Sequence, residues 1–160
     1  MAHRPGLPKT GRSQQAQAAG LMIVRVTSGV YLFFIGLHKI PWLLDSTPLA
    51  NQLSSWLSQS TPINRWYLER IMPGTPLFAR LVPLGEMLAG VALIAGFWTR
   101  LAAGCAFLMV LNFQLAQGAM WHYAYLTDAT GLPYLGALLA LTIGGGRLPL
   151  SVGEKVKRRR

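Results

Sequence analysis

Four long apolar segments dominate the hydrophobic pattern of this 160-residue chain. A helix needs about 20 mostly apolar residues to cross a bilayer, and each segment is close to that length. The pattern therefore predicts an all-α integral membrane protein, a four-helix bundle with spans at 20–44, 76–98, 101–120 and 128–146. The fourth span is the weakest, because its fully apolar part is short for a bilayer.

The connection between the first two spans, residues 46–75, is too polar to cross a membrane but repeats an apolar face. Apolar side chains recur there at helical spacing in two sets, Leu49, Leu53, Trp56, Leu57 and then Ile63, Trp66, Tyr67, Ile71. This spacing predicts two short amphipathic helices that lie on the membrane surface or cap the bundle. A plain extramembrane loop is the alternative interpretation.

Both ends of the chain are polar and basic. Residues 1–19 are expected to form an N-terminal tail that is disordered at least in part, and residues 147–160 a C-terminal tail. Only 12% of the residues are charged, whereas an average soluble domain is about a quarter charged. The net charge of +10 lies largely in these tails beside apolar spans. That placement indicates membrane lipid as a partner and argues against nucleic acid.

The basic residues also predict the orientation of the chain. The two tails and Arg100, in the short turn between the second and third spans, hold most of the Lys and Arg residues. The connection between the third and fourth spans holds none. Because basic residues stay on the cytoplasmic side, we expect a multi-pass protein of the cell's inner (plasma) membrane with both termini in the cytoplasm.

Three charged residues at membrane depth are the main candidates for chemistry: Arg25, Lys39 and Glu86. Each costs about 2.5–3.5 kcal/mol at a helix centre, so these side chains should face the bundle interior, pair, or extend to the membrane surface (snorkel). Gly29 and Gly36 lie on the same stripe as Arg25 and Lys39 and allow another helix to approach closely. We predict one polar cluster of the three charges. It either fixes helix register alone, or binds an anion or quinone head group, or moves a proton.

Other polar residues are possible ligand contacts. His38 and His122 are able to ligate haem or chlorophyll, although histidines near an interface are more often only hydrogen-bonded. Asn112, Gln114 and Gln117 on the third span either bond across helices or contact a ligand. The sequence contains no metal-ligand motif and no glycine-rich phosphate loop, so no metal is predicted and no cofactor is evident from the residues.

The polar and glycine positions of the first three spans resemble the DoxX/DoxD family of membrane proteins. The matching stretches are Arg25-x3-Gly29-x4-Phe34-x-Gly36-x2-Lys39 and Gly85-Glu86-x3-Gly90-x2-Leu93-x2-Gly96-x2-Thr99-Arg100-Leu101-Ala102-Ala103. The family's recurring polar positions fall on Arg25, Lys39, Glu86 and Arg100. The resemblance implies a four-span bundle, and its named activity is that of the small subunit of thiosulfate:quinone oxidoreductase.

Two functions follow as hypotheses. The resemblance and the buried charges suggest a redox-linked subunit of an oxidoreductase. Such a subunit would contact quinone during thiosulfate or thiol oxidation. The alternative is a non-catalytic accessory subunit of a larger respiratory or photosynthetic membrane complex, or a homo-oligomer. The small size and the absence of a cofactor motif favour this second hypothesis.

Overall fold

The computed structural model describes residues 10–145, and their side chains from residue 14. The described chain folds into helices without a strand, which confirms the predicted all-α membrane protein. The helices are α1 (Thr10–His38), α2 (Thr47–Ser58), α3 (Pro62–Ile71), α4 (Thr75–Ala95), α5 (Thr99–Gln117), α6 (Ala124–Thr127) and α7 (Leu132–Gly144). Short 3-10 turns at Ile40–Leu43, Met72–Gly74 and Ala119–Trp121 join several of them.

Three helical segments are long and apolar enough to cross a membrane: Gln14–His38, Pro62–Ala95 and Thr99–Gln117. The second of these runs through α3, the 3-10 turn at Met72–Gly74 and α4. The fourth bundle helix, α7, has 13 residues and is about 20 Å long. It is therefore shorter than a bilayer core of about 30 Å. Gly131 and Pro133 mark its start and Gly145 its end, so the helix is shorter than the predicted span at 128–146.

The first helix differs from its predicted span at both ends. It begins at Thr10, so residues 10–19 are helical where a partly disordered tail was expected. The Ala- and Gln-rich run 14–19 consists of good helix formers, which accounts for the extension. The helix ends at His38 because Pro41 cannot continue it, and the chain turns as a 3-10 helix at Ile40–Leu43. Residues 1–9 and the tail at 147–160 lie outside the described residues.

The two amphipathic helices between the first spans are confirmed as α2 and α3. Leu49, Leu53 and Leu68 are buried and share a small core with residues of α4 and α5. The buried face of α3 differs from the predicted one, since Ile63 and Trp66 are exposed. The face is rotated because Asn64, a polar residue, bonds inward to α5.

The tightest contact in the bundle is between the antiparallel helices α1 and α4. A Cβ atom on Gly90 would lie 2.7 Å from the backbone nitrogen of Phe33 and 2.8 Å from the carbonyl oxygen of Gly29. A Cβ atom on Gly36 would lie 2.9 Å from the carbonyl oxygen of Pro83. Small residues thus bring the two backbones together, as membrane helices commonly do.

The bundle has two unlike ends, which we name by their connections. The connection end comprises residues 39–74 and 118–131, including α2, α3 and α6. The turn end comprises the short Gly96–Trp98 link between α4 and α5, together with the end of α7 that packs beside it. Between the ends, an apolar core is formed by α1, α4, α5 and α7, with Leu32, Leu93, Leu138 and Leu141 fully buried.

We predict that Gly90→Ala destabilises the bundle by about 1–3 kcal/mol, because the new methyl group meets backbone atoms that cannot move aside. Unfolding in mixed detergent micelles measures this loss. Gly136→Ala in α7 is the matched control, since no atom lies within 4 Å of a Cβ there. An equal loss in both variants would contradict the close α1–α4 contact.

Candidate functional site

A buried ion pair joins α1 to α4 at the connection end. Lys39 Nζ lies 2.5 Å from Glu86 Oε1, and the two side chains are 18% and 8% exposed. It is the one salt bridge within residues 14–145. Lys39 is the first residue after α1, and Glu86 lies one turn from Gly90 on α4. The close approach at Gly36, whose Cβ would lie 3.0 Å from that of Glu86, lets these side chains meet.

Two aromatic rings complete the surroundings of the lysine. Lys39 Nζ lies 4.9 Å from the ring centre of Phe113 and 5.5 Å from that of Trp42. Such distances allow cation–π attraction, which is stronger away from water. Glu86 Oε2 is buried and has no hydrogen-bond partner among the described residues. The carboxylate thus keeps an acceptor atom beyond its bond to Lys39.

Arg25 does not join this pair, so the structure does not form the predicted three-residue cluster. Lys39 lies fourteen positions after Arg25, which is about 21 Å along a helix. Glu86 packs at the level of Gly36, about 17 Å along α1 from Arg25, which is too far for an arginine side chain to reach. The antiparallel register of α1 and α4 pairs only the lysine with Glu86.

A cavity of about 400 Å³ lies next to the ion pair, between α2, α3, α4 and α5. Its lining is mostly apolar and includes Trp56 and Phe113, whose rings meet edge to face. The polar lining residues are Tyr67 and Asn112, and the Tyr67 hydroxyl donates a hydrogen bond to Asn112 Oδ1. Phe113 therefore lines the cavity and also contacts the Lys39 ammonium.

The cavity is a feature that the sequence did not predict as a site. Asn112 was identified as a polar residue at membrane depth, but Tyr67 only as part of an apolar face. The cavity forms where the helices α2 and α3 cover α4 and α5. A pairing of Tyr67 with Asn112 across 45 residues has no signal in periodicity or in a local motif.

None of the remaining predicted residues lines the cavity or is bonded to Lys39 or Glu86 in the described structure. His38, Gln117 and His122 are exposed. Arg100 lies at the turn end, where its Nε donates to the carbonyl oxygen of Thr142. Within residues 14–145, no three His, Cys, Asp or Glu side chains group as metal ligands.

Two buried amide side chains hold the connection end together: Gln114, which the sequence analysis had identified as polar at membrane depth, and Asn64, which it had not. Asn64 donates to the Leu115 carbonyl and accepts from the Trp121 indole, and so ties α3 to the end of α5. Gln114 donates to the Thr130 carbonyl. Gln114 is buried, whereas Gln117 on the same helix is exposed.

The fold and site define a class, a small multi-pass helical membrane protein with an ion pair between its first two bundle helices. The chain belongs to the DoxX family, because the DoxX family profile matches residues 20–119. The match covers the ion pair and every residue that lines the cavity, and it ends before α7. No curated protein matches the chain, and no solved structure does.

We predict that Lys39→Met and Glu86→Gln each destabilise the protein, because each leaves the other charge unpaired in a water-poor site. The double variant should recover part of the loss, with a coupling of about 1–3 kcal/mol between the two positions. Unfolding in mixed micelles provides the measurement, with Glu69→Gln on the exposed surface of α3 as the control. Additive losses in the double variant would show that the pair does not act as a unit.

Proposed function

We propose that this DoxX-family chain is a redox-linked membrane subunit whose cavity accepts the head group of a lipid-soluble quinone. The observation that carries the proposal is an apolar cavity of about 400 Å³ with one polar pair, Tyr67 and Asn112. Small-molecule sites are typically apolar, measure about 300–1,000 Å³ and contain few polar groups that orient the ligand. A quinone ring has the matching chemistry, a flat apolar body with carbonyl acceptors.

The polar pair is arranged to bind such an acceptor. Asn112 Oδ1 accepts the Tyr67 hydroxyl proton, so the amide nitrogen of Asn112 is left as the donor. A quinone carbonyl takes that donor, and the Tyr67 hydroxyl can turn toward the ligand. The aromatic rings of Trp56 and Phe113 supply flat apolar walls for the ring.

The long tail of a quinone requires a path to lipid, and the lining of the cavity supplies one. Phe78, Leu81 and Leu108 line the cavity and are also exposed on the surface of the bundle. A ligand therefore enters sideways from the hydrocarbon between α4 and α5. The tail remains in the bilayer while the head group reaches Asn112.

The ion pair is placed to act on the bound ring through the field of its charges. Lys39 contacts the face of Phe113, and that ring also lines the cavity. A nearby ammonium favours the extra negative charge of a reduced quinone ring. In this role Lys39 and Glu86 are positioning residues, since Phe113 separates them from the ligand.

The source of the electrons follows from the family resemblance. Two thiosulfate ions or two thiols are oxidised and become joined by a new S–S bond. The two electrons that they release reduce one quinone, which takes up two protons, from the thiols or from water, to become a quinol. The orientation belongs to the same proposal: with both termini in the cytoplasm of a plasma-membrane protein, the cavity lies toward the opposite side of the membrane, and the proposal requires the sulfur substrate to be oxidised on that side.

A second function, an accessory subunit of a larger complex, is favoured by the apolar surface of the connection end. Leu44, Ile63, Trp66 and Tyr123 are all more than half exposed there. Side chains of this kind at a membrane surface serve either as interface anchors or as contacts for a neighbouring subunit. The composition of the purified particle separates the two functions.

We predict that Asn112→Leu weakens the binding of a short-chain quinone analogue to the purified protein by about tenfold, because the main donor to the ring is lost. Tyr67→Phe should weaken it less. Calorimetric titration in detergent measures both. Gln117→Leu and Tyr123→Phe are the matched controls, since neither residue lines the cavity.

The same preparation tests the choice between the two functions. A particle of this chain alone that retains quinone supports the redox-linked subunit. Wild-type protein that binds no quinone and purifies in fixed ratio with larger subunits would overturn it and support the accessory role.

A further inference from the structure

Arg25 is a charged residue in the interior of the bundle with no described counter-charge. Its side chain is 2% exposed, and its Nε and Nη1 atoms have no hydrogen-bond partner among the described residues. An arginine stays protonated in proteins, so it cannot avoid the cost of burial by losing its charge. A buried charge of this kind is stable only when an opposite charge or a set of acceptors meets it.

The described carboxylates do not supply that charge. Glu86 bonds Lys39 and lies toward the opposite end of the bundle. Asp45, Glu69 and Asp128 lie in the segments of the connection end. The fifth acidic residue of the chain, Glu154, lies outside the described residues and is included in the test below.

The register of α1 against α4 fixes the level of Arg25. Gly29 packs against Gly90 and Ile94, and Arg25 lies one helical turn before Gly29. Because the helices run antiparallel, Arg25 is level with the turn at Gly96, where α4 has ended and the chain leads into α5. Arg25 therefore belongs to the turn end, about 21 Å from Lys39 along α1.

The start of α5 at this end carries hydrogen-bond donors that have no acceptor among residues 14–145. The N–H group of Ala102 is the first in α5 that donates to a backbone carbonyl, that of Trp98, and no side chain caps the start of the helix. The hydroxyl of Thr99 is buried and has no partner among the described residues. Among all the described residues, five buried side-chain N or O atoms lack a hydrogen-bond partner, and three of these belong to Arg25 and Thr99.

The end of α7 packs against both α1 and the start of α5 in this region. Gly145 packs against the Thr99 side chain, and Gly144 against Leu21, one turn before Arg25 on α1. Trp98, which precedes the helix, has a left-handed backbone with φ of 45°. Bulky residues rarely adopt this conformation, and it occurs most often where a ligand or a tight turn requires it.

We infer that the turn end binds a phosphate-type oxyanion between the Arg25 guanidinium and the N-terminus of α5, with the Thr99 hydroxyl as a further donor. The first backbone N–H groups of a helix and an arginine fork are the donors that tetrahedral oxyanions prefer. The anion supplies the negative charge that Arg25 lacks. This site is separate from the quinone cavity and does not depend on it.

The oxyanion has two possible sources, a phospholipid head group or free phosphate. Phe97 and Trp98 stack on each other with 4.9 Å between ring centres and are largely exposed beside the site. Aromatic residues of this kind lie at the level of lipid head groups. Both sources present the same chemistry to Arg25, so the experiment must distinguish them.

The test uses the full-length protein, purified in detergent and depleted of lipid, and follows its thermal unfolding. One series adds sodium phosphate against sodium chloride of equal ionic strength. A second adds phosphatidylglycerol in mixed micelles against diacylglycerol, which lacks the phosphate. Arg25→Gln should weaken binding of the oxyanion about 10- to 100-fold, and Thr99→Val about 3- to 10-fold. Arg25→Lys should restore part of the affinity.

Exposed residues provide the controls. Arg80→Gln changes an exposed arginine of α4 that bonds the Pro76 carbonyl, and Thr27→Val changes an exposed threonine of α1. Both should bind as the wild type does. Because Thr99→Val keeps the shape of the side chain, it tests the site even if Arg25→Gln does not fold.

Stabilisation by phosphate and by phosphatidylglycerol supports a site open to both sources, and stabilisation by the lipid alone supports a head-group site. Equal binding by wild type, Arg25→Gln and Thr99→Val would overturn the proposal. It would also be overturned if the wild type binds neither probe and Glu154→Gln lowers the unfolding temperature as much as Arg25→Gln. In that case the chain's own carboxylate neutralises Arg25.

Discussion

The salt bridge between Lys39 and Glu86 constrains the position of α1 against α4, and much of the structure depends on that position. In a bilayer neither charge has enough water to solvate it, so each side chain must find the other. They meet because glycines at positions 29, 36 and 90 let the two backbones approach. The same contact brings the lysine onto the ring of Phe113, and thereby places a pair of charges beside the cavity.

This constraint also separates two kinds of chemistry along the bundle. The connection end combines the ion pair, an apolar cavity and the polar pair Tyr67 and Asn112, which suits a neutral ring that gains charge on reduction. The turn end combines Arg25 with donors of Thr99 and α5 that have no partner in the described part of the chain, which suits the proposed oxyanion. The two ends are about 21 Å apart along α1. Arg25 within α1 and Lys39 just after it therefore place one positive charge at each end of the bundle.

The hydrophobic pattern was sufficient to predict the helical class and the two amphipathic helices, because both follow from periodicity and length. It also predicted that Lys39 and Glu86 pair, because residue spacing and antiparallel packing set the depth of each in the membrane. The pattern was wrong in adding Arg25 to this pair. Residues that share one stripe of a helix can lie level with different parts of the partner helix, and the stripe alone does not reveal this. Likewise, the cavity depends on how α2 and α3 settle on α4 and α5, which no local pattern encodes.

The most direct test of the account is photolabelling of the protein in its membrane with an azido-quinone, followed by mapping of the modified residues by mass spectrometry. The account predicts labels on the cavity segments of α2 to α5, close to Asn112 and Phe113, that are suppressed by excess unlabelled quinone. Labels that concentrate on α7 or at the turn end, or labels that quinone does not suppress, would contradict a quinone site in the cavity.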